Sequence, residues 1–194
     1  MMRTLALTLG LAVLGSAAVS PGDVVLAQGG FTSLFDGSTL KGWNVLGSAN
    51  WSVVDGAIQA TSGNGYLVTP MTYGDFQITL EFWVTDDANS GVFIRGEDPK
   101  AITAMNAYEV NINVKSPSGF GTGAVVNVAK PAVMPKTGGQ WNTYDITARG
   151  TRLTVAVNGM QTVNADDKAH ARGVIALQYG AGTVKFRNVR IRTL

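Results

Sequence analysis

Hydrophobic and polar residues alternate along most of the chain after Gly30, with the period of two that is typical of β-strands. The longest such run is Phe76–Val84, in which every second residue is apolar. Shorter alternating runs cover residues 92–95, 108–114, 153–157, 173–179 and 183–191. Almost no segment shows the 3.6-residue period of an amphipathic helix, so the pattern predicts an all-β sandwich or barrel.

Short pairs of turn-forming residues separate several of these runs. Asn158-Gly159 favours a two-residue type I′ hairpin turn, and Asp55-Gly56 gives a similar signal. The runs 173–179 and 183–191 are expected to pair with each other as closing strands. Each strand has one apolar side, so two antiparallel sheets packed face to face would bury the apolar sides of both.

The polar sides of three predicted strands carry bulky and charged residues. We expect Glu81, Arg95 and Glu109 to lie on one surface. Arg95 and Glu109 are expected to form an ion pair there, because their strands follow one another in the chain. A polar strand surface that also bears an aromatic residue, here Trp83, suits the binding of a sugar. The alternative is the ordinary solvated side of an antiparallel sheet with a structural network of ion pairs.

Composition and charge exclude several classes of function. The 194 residues are 45% hydrophobic and 14% charged, which fits one domain with a sizeable core. The net charge is +2 and the basic residues are scattered, which argues against a nucleic-acid partner. Cysteine is absent and His170 is the only histidine, so thiolate and multi-histidine metal sites are excluded. A bound metal would be a hard ion, such as Mn²⁺ or Ca²⁺, held by oxygen ligands.

The N-terminal segment resembles a targeting signal. Arg3 supplies a basic start, and residues 5–19 form a short apolar run rich in small residues. Cleavage is possible after Ala18 or Ala27, and we favour Ala27 because the strand pattern begins soon after it. The prediction is a signal peptide at residues 1–27, a domain at 31–194, and a periplasmic or secreted protein without a stable membrane anchor. The alternative is an uncleaved anchor.

A series of short motifs along residues 31–194 resembles one known family. They are FTSLFDGSTLKGW at 31–43, WSVVDG at 51–56, YGDF at 73–76, NSGVFIR at 89–95, YEV at 108–110, WN at 141–142, VNG at 157–159 and FRNVRI at 186–191. In this order they resemble the bacterial 3-keto-disaccharide hydrolase domain family, also described as 3-keto-glucoside 1,2-lyase and 3-keto-2-hydroxyglucal hydratase. The resemblance implies a concanavalin-like jelly-roll sandwich of two antiparallel sheets. It also implies an exported hydrolase or lyase that acts on 3-keto-glycosides.

The chemistry implied by the resemblance needs a base, an oxyanion stabiliser and an acid. A ketone at C3 acidifies the proton on C2, so the group on C1 can leave by elimination before water adds. Glu109 is the candidate base or metal ligand, Arg95 the stabiliser of the enolate, and Glu81 a second acidic group. The candidate groups that bind the sugar are Asn111, Gln178 and Trp83.

One departure from the family pattern favours a second hypothesis. Relatives carry a His-Gly pair after the Leu-Gln of the penultimate strand, whereas here Tyr179-Gly180 follows Gln178. His170 could replace that histidine, but its polar surroundings predict a solvated surface residue. The alternative function is therefore a non-catalytic carbohydrate-binding module.

Overall fold

A computed structural model describes residues 30–194, which form strands, turns and loops without a helix in that part of the chain. The strands are β1 (Thr32–Ser33), β2 (Asn44–Gly47), β3 (Ser52–Val54), β4 (Ala57–Ala60), β5 (Gly65–Val68), β6 (Phe76–Val84), β7 (Asn89–Gly96), β8 (Tyr108–Asn113), β9 (Trp141–Arg149), β10 (Arg152–Val157), β11 (Met160–Asp166), β12 (Val174–Ala181) and β13 (Val184–Thr193). The prediction of an all-β fold is confirmed.

The strands form two antiparallel sheets. The larger has eight strands in the order β11-β10-β9-β6-β13-β4-β3, with β1 added to β13. The smaller has five strands in the order β2-β5-β12-β7-β8. The two sheets bury a common core, to which β6 contributes Phe76, Phe82 and other alternate residues, while β7 and β8 contribute Val92 and Ile112. The fold is thus the predicted jelly-roll sandwich.

Both predicted hairpin turns are present. Asn158 and Gly159 have φ angles of 51° and 79°, the left-handed pair that a type I′ turn requires, and they join β10 to β11. Asp55 and Gly56, at 51° and 73°, join β3 to β4 in the same manner.

The predicted pairing of the last two strands is wrong. β12 lies in the smaller sheet between β5 and β7, whereas β13 lies in the larger sheet between β6 and β4. The chain crosses from one sheet to the other at Gly182, whose φ of 75° and closeness to the backbone of Ala88 leave no room for a side chain.

The predicted signal peptide and the predicted export stay predictions. The signal peptide predicted at residues 1–27 lies outside the part of the chain that the structure describes. Within residues 30–194, no helix has the length and apolar character needed to cross a bilayer.

Candidate functional site

The outer surface of the five-stranded sheet carries a row of polar residues with a glycine in its middle. We call this row, together with the adjacent Glu109, the groove. Strand register places Tyr66 of β5, Gln178 of β12, Gly91 of β7 and Asn111 of β8 side by side across the sheet. Glu109 lies in the adjacent row, next to Asn111 on the same side of β8. Three of the sequence-predicted residues, Glu109, Asn111 and Gln178, are therefore brought together.

Gly91 makes the floor of the groove. It is buried between Gln178 and Asn111, and it has no side chain to fill the space between them. A methyl group at this position would lie 3.4 Å from Glu109 Cγ and 3.5 Å from Gln178 Oε1. A glycine in mid-strand commonly marks a place where another group approaches the backbone closely.

Glu109 is the titratable group of the groove. Its burial raises the pKa of the carboxyl group from 4.5 to about 7. None of the ion pairs among residues 30–194 includes Glu109. Desolvation without a neighbouring cation disfavours the ionised carboxylate, and a pKa near the working pH is the value that suits a general base or acid.

Two amide oxygens beside Glu109 have no hydrogen-bond partner. They are Asn111 Oδ1 and Gln178 Oε1, which are both buried. The Asn111 amide nitrogen donates to the carbonyl oxygen of Phe120, which fixes the side chain in its place. Buried polar atoms are normally paired, so these two oxygens remain available as hydrogen-bond acceptors.

Tyr66 and Phe93 complete the groove, and the alternation pattern of the sequence does not mark either of them as a site residue. Their rings meet edge to face with centroids 5.3 Å apart. Burial raises the pKa of the Tyr66 hydroxyl, a hydrogen bond with the Gln178 side chain partly opposes this, and the charge of Glu109 adds to it. The hydroxyl is therefore protonated at neutral pH and can donate a hydrogen bond or a proton.

Arg95 does not lie in the groove, and its predicted ion pair with Glu109 is wrong. The residue is 1% exposed, and its guanidinium donates to the carbonyl oxygens of Gly74, Gly150 and His170 at 2.8–3.0 Å. Its ion-pair partner is Asp75, at 3.0 Å. The φ of Arg95 is 55°, so the alternation of β7 breaks at this residue and the side chain turns away from the outer surface.

Glu81 and Trp83 lie on the other sheet, so the expected single surface with Glu109 is also wrong. Both belong to β6, which is in the larger sheet, whereas Glu109 belongs to β8 in the smaller one. Glu81 accepts hydrogen bonds from Arg187 at 2.8 Å and from Asn188 at 2.6 Å. The ammonium of Lys185 lies 5.3 Å from the centre of a Trp83 ring.

His170 is not the solvated surface residue that its sequence surroundings predict. It is 8% exposed, and its Nδ1 atom lies 2.9 Å from Glu97 Oε1. Its ring packs edge-on against Tyr108, and its backbone N–H donates to the Tyr108 hydroxyl. The contacts are with residues distant in the chain, which local composition does not reveal.

The groove residues do not by themselves make up a metal site. Within residues 30–194, no group of three or more His, Cys, Asp and Glu side chains is placed to hold a metal ion. Glu109 is accompanied by the amide oxygens of Asn111 and Gln178. Ca²⁺ takes roughly six to eight oxygen ligands. The expectation that Glu109 binds Mn²⁺ or Ca²⁺ therefore stays a prediction.

The fold and the groove together define a jelly-roll sandwich with a part-buried polar site on its smaller sheet. The chain belongs to the 3-keto-alpha-glucoside-1,2-lyase-like domain family, which matches residues 30–192. This confirms the resemblance that the sequence motifs indicated. No significant match was found among curated protein sequences.

Solved structures share the fold at low sequence identity. Two proteins from Parabacteroides distasonis that are assigned to the glycosyl hydrolases are similar. The first is 21% identical with a TM-score of 0.75, covering 85% of this chain and 94% of its own. The second is 23% identical with a TM-score of 0.68, covering 78% and 99%. The carbohydrate-binding module CBM66 from Bacillus subtilis is 18% identical with a TM-score of 0.64, covering 80% and 98%. These similarities concern the fold, which is the expected concanavalin-like jelly roll.

Proposed function

We propose that this protein cleaves glycosides whose sugar ring carries a ketone at C3, and that the groove on the five-stranded sheet is its active site. Family membership supports the substrate class. The observation that carries the proposal is Glu109, a part-buried carboxyl group with a pKa raised to about 7 beside two unpaired amide oxygens.

Glu109 has the properties that removal of the C2 proton requires. A carboxylate whose conjugate acid has a pKa near 7 is a stronger base than an ordinary one, and a large share of it is ionised at neutral pH. When the proton moves from C2 to Glu109, the electron pair of the broken C2–H bond forms the enolate of the C3 ketone. Collapse of the enolate breaks the bond from C1 to the glycosidic oxygen and leaves a C1–C2 double bond, to which water then adds.

The other groove residues supply hydrogen bonds to the sugar and to the departing oxygen. Asn111 Oδ1 and Gln178 Oε1 accept from sugar hydroxyls, since no described residue satisfies them. The Tyr66 hydroxyl donates to the enolate or leaving oxygen, because its raised pKa keeps it protonated. Arg95 has no part in this scheme, since backbone carbonyls and Asp75 already use its guanidinium.

We also propose that residues 1–27 are a signal peptide that directs export to the periplasm or beyond. The basic start at Arg3 and the apolar run at 5–19 support it. N-terminal sequencing of the protein recovered from the periplasm tests both the export and the cleavage site, which we expect after Ala27. Recovery of the uncleaved chain in the membrane fraction would contradict it.

The experiment that tests the proposed reaction follows aglycone release from a chromogenic 3-keto-β-glucoside and its α anomer. We expect release by the wild-type domain and a loss of about 100-fold or more in Glu109→Gln, the contribution typical of a general base. Asp55→Asn removes one carboxylate from the exposed β3–β4 turn and is the control. Parallel assays with Mn²⁺ or Ca²⁺ test the predicted metal. No release under any of these conditions by a folded sample would overturn the enzyme hypothesis.

The second candidate function is a non-catalytic carbohydrate-binding module. One argument for it is the similarity of fold to CBM66, a similarity that covers 98% of the CBM66 chain. The other is that the groove holds one carboxylate, Glu109, whereas ordinary glycoside hydrolysis uses two. Saccharide binding that survives Glu109→Gln, together with the absence of turnover, would establish this function instead.

A further inference from the structure

The outer surface of the eight-stranded sheet holds a second depression, on the side of the sandwich opposite the groove. Its volume is about 350 Å³, within the size range of small-molecule sites. The polar side chains that line it are those of Thr79, Glu81, Thr143, Asp145, Asn188 and Arg190. They come from three neighbouring strands, β6, β9 and β13. We call this depression the second cavity.

A β-bulge in β13 shapes the second cavity. The pairing of β13 with β6 shifts register between Arg187 and Arg190, and Asn188 has a left-handed φ of 53°. The extra residue brings both Arg187 and Asn188 onto Glu81, whose carboxylate accepts from each of them. Bulges of this kind re-aim side chains and occur often beside functional sites.

The polar groups of the second cavity are held in place before any ligand arrives. Burial alone would raise the pKa of Glu81, but the hydrogen bonds from Asn188 and Arg187 and the charges of Arg187 and Arg190 lower it. Asp145 accepts from the Gln77 amide through both carboxylate oxygens, each at 2.7 Å. Planar groups fixed in this way lose little conformational freedom when a ligand binds.

An aromatic residue borders the second cavity. Trp141 precedes Thr143 by two residues on β9 and therefore lies on the same surface. The Trp141 residue is 36% exposed, and the Arg187 guanidinium carbon lies 3.9 Å from the centre of one of its rings. An aromatic ring beside fixed hydrogen-bonding groups matches the alternating apolar and hydroxyl surfaces of a pyranose.

We propose that the second cavity is a binding site for a neutral saccharide, separate from the groove and independent of its proposed reaction. Glu81 pairs with the Arg187 guanidinium, and the lining also carries Asp145 and Arg190, so charges of both signs surround the cavity. A charged ligand of either sign would meet a like charge, whereas an uncharged polyol can donate to the carboxylates and accept from Arg190 and Asn188. The protein thus binds a glycan on one sheet and reacts with a sugar on the other.

The test uses saccharides that the proposed reaction cannot cleave. Maltotriose, cellotriose and laminaritriose, none of them oxidised, are each titrated into the isotope-labelled domain while backbone amide shifts are recorded by NMR. We expect at least one of them to shift the amides of residues 79–81, 143–145 and 188–190. Arg190→Ala should weaken that binding about tenfold, the value of one charge-assisted hydrogen bond, and Trp141→Ala should weaken it too.

Two control variants make the result specific. Arg152→Ala removes another exposed arginine of the same sheet, distant from the second cavity, and should leave affinity unchanged. Gln178→Ala alters the groove and should also leave it unchanged. The proposal is overturned if none of the three saccharides shifts these amides, if the shifts fall only around residues 91, 109 and 178, or if Arg190→Ala and Trp141→Ala bind as the wild type does. None of these outcomes bears on cleavage of 3-keto-glycosides, which has its own assay.

Discussion

Replacement of Arg95 tests whether this residue stabilises the fold or takes part in the reaction. The sequence placed Arg95 beside Glu109 as a stabiliser of the enolate, whereas the structure buries its guanidinium among the carbonyl oxygens of Gly74, Gly150 and His170 and the carboxylate of Asp75. Arg95→Ala removes these four hydrogen bonds at once and leaves the carbonyl groups without their donor. The expected effect is on the stability of the fold rather than on the chemistry.

The size of the effect follows from the burial of the guanidinium. Asp75 is 42% exposed and stays solvated after the change, so the cost comes from the three carbonyl oxygens left without their donor. Each costs about 1–3 kcal/mol, toward the lower end where the carbonyl is only part-buried, which makes about 3–5 kcal/mol together. For a domain of this size, each kcal/mol lowers Tm by roughly 2–4 °C. We therefore expect Arg95→Ala to lower Tm by roughly 6–20 °C, which is that cost multiplied by that sensitivity. Arg95→Lys should lose about half as much, since a single ammonium cannot reach all four acceptors.

Urea denaturation and calorimetry measure this loss, and the initial rate with a 3-keto-glucoside measures the chemistry. Arg152→Ala is the matched control, because its ion pair with Asp166 joins side chains that are 51% and 55% exposed. Such a pair contributes less than about 1 kcal/mol. An Arg95→Ala protein as stable as the wild type that had lost its turnover would refute the structural role and restore the catalytic one.

Three further predictions concern the groove and its support. Burial raises the pKa of Glu109 from 4.5 to about 7, so the folded protein binds this proton more tightly than the unfolded chain and loses stability as the pH rises through this range. Glu109→Gln should remove this loss. The urea midpoint of the variant should therefore exceed that of the wild type at pH 8 and match it at pH 4. Gly91→Ala should raise KM, because the new methyl group would lie 3.2 Å from the Val110 carbonyl oxygen and 3.4 Å from Glu109 Cγ and would fill the space between the groove residues. Equal KM values would show that no ligand approaches this strand. Tyr144→Phe should cost about 1–3 kcal/mol, measured by urea denaturation, because the buried hydroxyl donates to the Asn111 carbonyl oxygen and accepts from the Gly123 N–H. A loss below about 0.5 kcal/mol would mean that water replaces the hydroxyl there.

The alternation of apolar residues predicted the strands but could not assign them to sheets. A period of two shows which residues share one side of a strand, and this placed Glu109 and Asn111 together on β8. It does not show that β6 and β7, consecutive in the chain, belong to different sheets, which is why Glu81 was expected beside Glu109. Tyr66 was missed for a related reason, since β5 is four residues long and offers too short a pattern.

Arg95 was misplaced because one backbone angle interrupts a regular strand. Continuation of the alternation from Gly91 and Phe93 would put residue 95 on the outer surface. Its φ of 55° instead turns the side chain toward the loops at residues 74–75, 150 and 170. A left-handed arginine is uncommon, and the tertiary contacts that stabilise it cannot be inferred from neighbouring residues.

Strand β7 connects the groove to the buried contacts of Arg95. Its position determines how far a change at Arg95 affects the groove. β7 supplies Gly91 and Phe93 to the groove and ends at Arg95 and Gly96. The loop that follows begins at Glu97, which pairs with His170, and carries Ile102 onto the apolar cluster around Phe93. Weakening of the Arg95 contacts would first release Gly96 and the loop that follows it, because Glu109 is held by its cross-strand pairing with Phe93, two residues before Arg95. In Arg95→Lys, the specific activity of the folded protein should therefore stay near that of the wild type at low temperature even though Tm is lower. The first loss of activity should be a rise in KM as the assay temperature is raised.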